Sequence, residues 1–108
     1  MSLENEDLAF GSFVLDRSER ILKRDGEMVS VPPKALSLLL VLLENRGQIV
    51  EKDRLMESLW PDTFVEEGNL TQNISALRKV LGENPGEHVY IETVPKQGYR
   101  FIGATATE

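Results

Sequence analysis

One segment of this 108-residue chain is so apolar that the rest of the chain has to surround it. Residues 33–47 begin with a proline, which a helix tolerates at its first position, and end with Gly47, a residue suited to a helix C-terminus. At helical spacing the apolar side chains between them cover most of the circumference, which predicts a helix buried on nearly every side. The longest unbroken apolar run, Leu38–Leu43, is far too short to span a bilayer.

The stretch before this helix has the pattern of a β-hairpin. Residues 8–31 are rich in aromatic and aliphatic β-formers, and Asp25-Gly26 tolerates the positive φ angles of a two-residue turn. Such a turn places Arg24 opposite Glu27 and Leu22 opposite Val29. Opposite charges then meet at the tip of the hairpin, and apolar side chains meet below it.

The stretch after the apolar helix predicts two further helices and a second hairpin. Helical patterns cover residues 51–60 and 69–82, with an acidic loop at 62–68 between them. Strand patterns follow at 89–94 and 99–103, joined by the turn sequence PKQG. The predicted fold class is therefore α+β: a winged helix-turn-helix with an N-terminal antiparallel β-sheet, three helices and a C-terminal hairpin wing.

This domain is expected to occupy residues 8–103, with a flexible lead-in at 1–7 and a tail or truncated linker at 104–108. The chain has no cysteine and one histidine, which excludes disulfides, thiolate chemistry and a multi-histidine metal site. No charged and then apolar signal peptide opens the sequence, so we expect a cytoplasmic location.

The charge balance points in two directions. Twelve basic against eighteen acidic residues give a net charge of −6, whereas domains that bind nucleic acid are often basic. Two windows nevertheless contain no acid: residues 68–82, with Arg78 and Lys79, and residues 93–103, with Lys96 and Arg100. Chance remains one explanation for such windows in a chain with 30 charged residues.

The first acid-free window coincides with the third predicted helix. At about 100° per residue its apolar side chains form one stripe, made by Leu70, Ile74, Leu77 and Leu81. The opposite side is small, amide-rich and cationic; it carries Gln72, Ser75, Ala76 and Lys79, flanked by Asn69, Thr71, Asn73 and Arg78. Amides can make paired bonds to adenine, and cations can reach guanine or phosphate, so this face suits the major groove. The alternative is an ordinary solvated face.

The second acid-free window is the wing. Lys96 and Gln97 lie at its tip, and Gly98 is expected to let the backbone approach a phosphate. Lys96 is predicted to enter the minor groove, while Arg100 and the Tyr99 hydroxyl are predicted to bond phosphates. The alternative is a surface hairpin with one structural tyrosine.

Four sequence stretches are distinctive: GQIVEKDRL at 47–55, the LxxxLWP pattern at 55–61, LRKVLG at 77–82 and IETVPKQGYRF at 91–101. Together they resemble the OmpR/PhoB-type winged-helix DNA-binding domain, including its CadC-like members. The resemblance implies a third helix in the major groove and a wing on the minor groove or backbone. It also implies a head-to-tail dimer on DNA, which can be a monomer when free, and a parent chain that carries a receiver or a membrane sensor.

Residue roles follow from this resemblance by position. Base-proximal positions correspond to Asn69, Gln72, Asn73 and Ala76. Backbone-contacting positions correspond to Trp60, Thr71, Ser75, Arg78 and Lys79. A loop that can touch RNA polymerase corresponds to Asp62, Glu66 and Glu67. A core position beside Met56 is an equal alternative for Trp60.

The sequence thus predicts sequence-specific binding of double-stranded DNA by a bacterial transcriptional regulator. We expect no catalysis, no metal or other cofactor and no small-molecule substrate. Four or so cationic contacts with phosphates predict that log K for DNA binding falls with log salt concentration with a slope of roughly −3 to −4 for a monomer. The rival hypothesis is a winged-helix module for protein interaction or dimerisation that does not bind DNA, which the acidic net charge favours.

Overall fold

The computed structural model describes residues 7–83 and 89–103, together with the backbone of residues 105–107. Four strands come first, namely β1 (Leu8–Phe10), β2 (Phe13–Asp16), β3 (Ile21–Arg24) and β4 (Glu27–Val29). The central part contains α1 (Pro33–Glu44), β5 (Ile49–Glu51), α2 (Lys52–Leu59) and α3 (Glu67–Leu81). The last part contains β6 (Ile91–Val94), β7 (Gly98–Phe101) and β8 (Thr105–Thr107). The predicted α+β winged-helix class is confirmed.

The helix α1 is the centre of the core, as its composition predicts. It begins at Pro33 and buries seven of its twelve residues, from Ala35 to Leu43. It ends at Glu44, three residues before the predicted Gly47, and the side-chain amide of the next residue, Asn45, donates a hydrogen bond of 2.8 Å to the Val41 carbonyl. Both of the other helices pack against α1, so the apolar segment does organise the domain.

The N-terminal hairpin forms in the predicted register. Arg24 pairs with Glu27 and Leu22 pairs with Val29. Asp25 and Gly26 have φ angles of 50° and 86°, which suits a hairpin turn with two positive φ values. The hairpin belongs to a five-stranded antiparallel sheet with the order β4-β3-β2-β1-β8.

Two strands were not foreseen. Residues 105–107, predicted as part of a tail, form β8 and pair with β1. The wing is a three-stranded sheet of order β5-β7-β6, because Ile49–Glu51 pairs with β7. The predicted start of α3 was also two residues late, so Glu67 and Gly68 belong to the helix and not to the loop before it.

Gly98 has a packing role that the sequence analysis missed. A Cβ atom at this position would lie 2.9 Å from the Glu51 Cα and closer still to the Val50 carbonyl oxygen. Gly98 is also buried, so its lack of a side chain lets β7 approach β5. This packing gives Gly98 a structural role, and the expected approach of its backbone to a phosphate stays a prediction.

Candidate nucleic-acid interface

The helix α3 has two sharply different sides. Leu70, Ile74, Leu77 and Leu81 are buried, which confirms the predicted apolar stripe. On the other side the exposed residues are Asn69, Thr71, Gln72, Ser75 and Lys79, with Asn73 and Ala76 half-buried. No acidic residue interrupts this face between Glu67 and Glu83. The predicted base-proximal residues therefore lie together on one surface of the helix.

The amides on this face differ in how they are engaged. The Asn73 side-chain amide donates a hydrogen bond of 2.8 Å to the Asn69 carbonyl, one turn earlier. The Asn69 amide in turn donates to the Glu66 carbonyl at 3.3 Å. Within the described residues, Gln72 forms no such bond, so its amide has the greatest freedom to face a base.

Arg78 does not lie where the sequence predicts. Its Nη2 atom donates to the Ile91 carbonyl at 3.0 Å and to the Thr93 hydroxyl at 2.8 Å, and the side chain is half-buried. A guanidinium held in this way points into the protein, toward β6. Its predicted contact with the DNA backbone is therefore not supported by the geometry, whereas its neighbour Lys79 is exposed.

The wing turn presents one cation at its tip. Gln97 N–H donates to the Val94 carbonyl at 3.0 Å, closing a turn in which Pro95 precedes Lys96. Lys96 has a φ of 66°, a left-handed conformation that lysine rarely adopts, and both Lys96 and Gln97 are exposed. The predicted wing residues are thus exposed to solvent, while the Gln97 carbonyl accepts a hydrogen bond of 3.2 Å from the Lys52 N–H at the start of α2.

Two other predicted wing contacts are occupied internally. The Arg100 guanidinium forms an ion pair with Glu92 on the neighbouring strand, through both its Nε and Nη2 atoms. The Tyr99 residue is only 6% exposed and belongs to the core. In the free domain Arg100 and Tyr99 therefore help to build the wing, and their contacts with phosphates stay predictions.

Trp60 lies at the end of α2 with its ring half-buried against the core. The Lys34 ammonium lies 5.8 Å from the ring centroid and also donates a hydrogen bond to the Leu59 carbonyl. This packing matches the core alternative for Trp60, and a contact between its ring and a phosphate stays a prediction.

The loop between α2 and α3 contains a residue that the sequence analysis passed over. Phe64 is 93% exposed and lines a groove of about 490 Å³ together with Met56 and Trp60. Asp62 and Glu66 are exposed in this loop, whereas Glu67 lies in the first turn of α3 and pairs with Lys52 at 3.2 Å. An aromatic residue amid polar ones, DTFVEE, was the signal that could have revealed it.

Among the described residues, no cluster of three or more histidine, aspartate or glutamate side chains is placed to hold a metal ion. No helix in that part of the chain has the length and hydropathy that crossing a membrane requires. His88 lies outside the described residues.

Comparison with known proteins identifies a family. A family model described as "Transcriptional regulatory protein, C terminal" matches residues 26–101. The transcriptional regulator HilA of Salmonella typhimurium is 42% identical over 99 residues, which is 92% of this chain and 18% of HilA. The transcriptional activator CadC of Escherichia coli is 32% identical over 93 residues, or 85% of this chain and 18% of CadC. The chain thus spans about a fifth of the length of these relatives.

Solved structures agree with the sequence matches. The DNA-binding domain of E. coli CadC has a TM-score of 0.81 at 27% identity, covering 97% of this chain and 99% of the other. The Klebsiella pneumoniae RstA DNA-binding domain, solved in complex with the RstA box, has a TM-score of 0.79 at 32% identity. That alignment covers 89% of this chain and 96% of the other.

Proposed function

The chain belongs to the OmpR/PhoB-type family of transcriptional regulatory C-terminal domains, and from this premise we propose that it binds double-stranded DNA sequence-specifically, with α3 in the major groove. It performs no chemistry, and its place of action is the cytoplasm of a bacterium. The observation that carries the proposal is the exposed face of α3, which holds amides, hydroxyls and Lys79 and no carboxylate.

The division of labour on DNA follows from exposure and chemistry. Gln72 and the flanking Asn69, Asn73 and Ala76 face the bases, because the major groove offers donor and acceptor patterns that amides can match. Thr71, Ser75 and Lys79 lie beside them, where hydroxyls and an ammonium can bond phosphates.

The wing adds one cation, and a phosphate contact remains proposed for Trp60. Lys96 enters the adjacent minor groove or lies along the backbone, with Gln97 beside it. Because Arg78 and Arg100 are bonded within the protein, two exposed lysines remain from the four cations of the acid-free windows. The expected salt slope of a monomer is therefore roughly −2 and not −3 to −4.

Weak binding by one copy fits assembly on DNA. We propose a head-to-tail dimer on repeated half-sites and a monomer when free. The loop at Asp62 and Glu66, with the adjoining Glu67, faces RNA polymerase in this arrangement. It is acidic and leads into the N-terminal end of α3.

The proposal is tested by selecting duplexes from a random pool and measuring affinity at low and moderate salt. We expect one enriched motif, and we expect Lys79→Met to weaken binding to it several-fold. Lys23→Met is the matched control, because Lys23 is also an exposed lysine but lies on β3, outside α3 and the wing. No binding to any duplex at low salt would contradict the proposed function.

A further inference from the structure

Two charged side chains, Arg78 and Glu83, connect the end of α3 to the wing by bonding the backbone of the same residue, Ile91. Arg78 donates to the Ile91 carbonyl, and Glu83 Oε2 accepts from the Ile91 N–H at 3.2 Å and from the Tyr90 N–H at 3.3 Å. Both backbone groups of Ile91 are therefore bonded to side chains at the end of α3 or just beyond it. Because Ile91 is fully buried, leaving these groups unpaired would cost free energy.

The backbone at the end of α3 explains how these two side chains reach the same strand. Gly82 adopts a left-handed conformation with a φ of 80° and reverses the chain direction. Its N–H donates to the Lys79 carbonyl, and the Glu83 N–H donates to the Arg78 carbonyl at 2.9 Å. This pairing brings Glu83 next to the turn that carries Arg78, so both can face β6.

The strand β6 is an edge strand, which gives the contacts their structural importance. In the three-stranded sheet it pairs only with β7, and its other edge would need partners for its N–H and C=O groups. Arg78 and Glu83 supply them at Ile91, and Arg78 also bonds Thr93 two residues further along. These bonds connect β6 to the end of α3 in addition to its pairing with β7, and β6 leads directly into the turn that carries Lys96.

We propose that Arg78 and Glu83 form a clamp on β6 that sets the position of the wing relative to α3. Arg78 is then a positioning residue that acts on DNA recognition through Lys96 and does not touch a phosphate. Arg78 Nε and Glu83 Oε1 are both buried without a hydrogen-bond partner among the described residues. Each side chain therefore has a further hydrogen-bonding atom that its bonds to β6 do not use. This inference rests on the proposed function.

The first test needs no DNA. Amide hydrogen exchange at Tyr90 and Ile91 is compared between the unsubstituted chain, Arg78→Met and the matched control Lys79→Met. Loss of charge-assisted bonds to the strand is expected to speed exchange by about tenfold in Arg78→Met. Lys79→Met removes the same charge one residue away from an exposed site and is expected to leave these rates unchanged. Unchanged exchange in Arg78→Met would overturn the clamp.

A second variant covers the case in which Arg78→Met destabilises the whole domain and speeds exchange in α1 as well. Thr93→Val keeps the side-chain shape and removes one acceptor of the Arg78 guanidinium. We expect it to speed exchange at Tyr90 and Ile91 by a smaller factor without affecting α1. If exchange in β6 does not change in Thr93→Val, the clamp is also overturned.

The second test measures the effect on DNA, using the duplex enriched from the random pool. Lys96→Asn removes the wing cation while retaining a residue that tolerates the left-handed backbone. We expect Arg78→Met and Lys96→Asn to be non-additive by about fivefold, since a displaced wing has already lost the Lys96 contact. Equal weakening of DNA binding by Lys96→Asn with and without Arg78 would refute the positioning role.

If the unsubstituted chain binds no duplex, the proposed function and the role on DNA both fail, while the exchange data still decide whether Arg78 holds β6.

Discussion

The exposed face of α3 and the wing are alike in sequence but differ in how their arginines are bonded. Each corresponds to a window without acids that holds one lysine and one arginine. In both regions the lysine is exposed and the arginine is bonded to the protein. The planar guanidinium has several donors in a fixed arrangement, so it can hold neighbouring elements together, whereas the lysine ammonium remains available for a partner.

The difference lies in where each arginine finds its partner. Arg78 reaches from α3 to another element, and its acceptors are a carbonyl and a hydroxyl. Arg100 bonds Glu92, an acid just outside the window that the strand pairing places directly opposite. In the hairpin, strand pairing thus brings an acid from outside the acid-free window next to the arginine within it, whereas the bonds described for Arg78 are to a carbonyl and a hydroxyl.

The largest expected effect is on the free energy of unfolding, and it compares a glycine of the wing with a glycine of α3. Gly98→Ala places a Cβ against the β5 backbone, and we expect it to lower the free energy of unfolding by about 2–3 kcal/mol. Gly68→Ala in the first turn of α3 meets nothing within 4 Å and should raise it by about 0.5–1 kcal/mol. Urea denaturation measures both. Equal and small effects would show that close backbone packing does not hold the wing.

The next prediction compares an amide from each region. Gln72→Ala should cost about 1–3 kcal/mol of binding free energy on the selected duplex and little on a scrambled one, because a base contact is lost. Gln97→Ala at the wing tip should cost less and act equally on both duplexes. Titrations with the two duplexes give the values. A similar loss of discrimination in both variants would mean that the wing also reads sequence.

The salt dependence of binding separates lysines from arginines. Lys79→Met and Lys96→Asn should each make the slope of log K against log salt shallower by about one, because each releases one phosphate contact. Arg100→Met should leave the slope nearly unchanged, since its charge is already paired with Glu92. Titrations between low and moderate salt provide the slopes. If Arg100→Met behaves like the lysine variants, the ion pair opens on DNA.

Local signals in the sequence were sufficient for much of this molecule. The register of the first hairpin followed from Asp25-Gly26, and the buried stripe of α3 followed from its spacing. Both depend on residues that are close in the chain, where turn chemistry and helical periodicity act directly.

Pairings between distant segments were not predictable in the same way. The strand β5 has three residues, too few to show an alternation, and it exists because β7 lies beside it. The inward direction of Arg78 depends on Ile91 and Thr93, thirteen and fifteen residues away. A helical wheel separates apolar from polar positions, but it cannot tell a cation that faces solvent from one that faces another strand.

The smallest expected effect comes from Asp16, a carboxylate outside both regions, and its substitution serves as a control for the variants in α3 and the wing. In the turn after β2, hydrogen bonds from the Glu19 N–H at 2.9 Å and the Ser18 hydroxyl at 3.0 Å favour the charged form of Asp16 and hold the pKa of this group below its ordinary value. The stabilising contribution of the Asp16 carboxylate is present above the ordinary carboxylate pKa of about 4 and is lost as the pH falls through the lower folded-state pKa.

Asp16→Asn should therefore destabilise the domain slightly at neutral pH, and the difference should vanish in acid. Unfolding curves across this range test the sign, and DNA affinity at neutral pH should not change. A loss of affinity in Asp16→Asn would show that effects attributed to α3 and the wing also arise from general destabilisation.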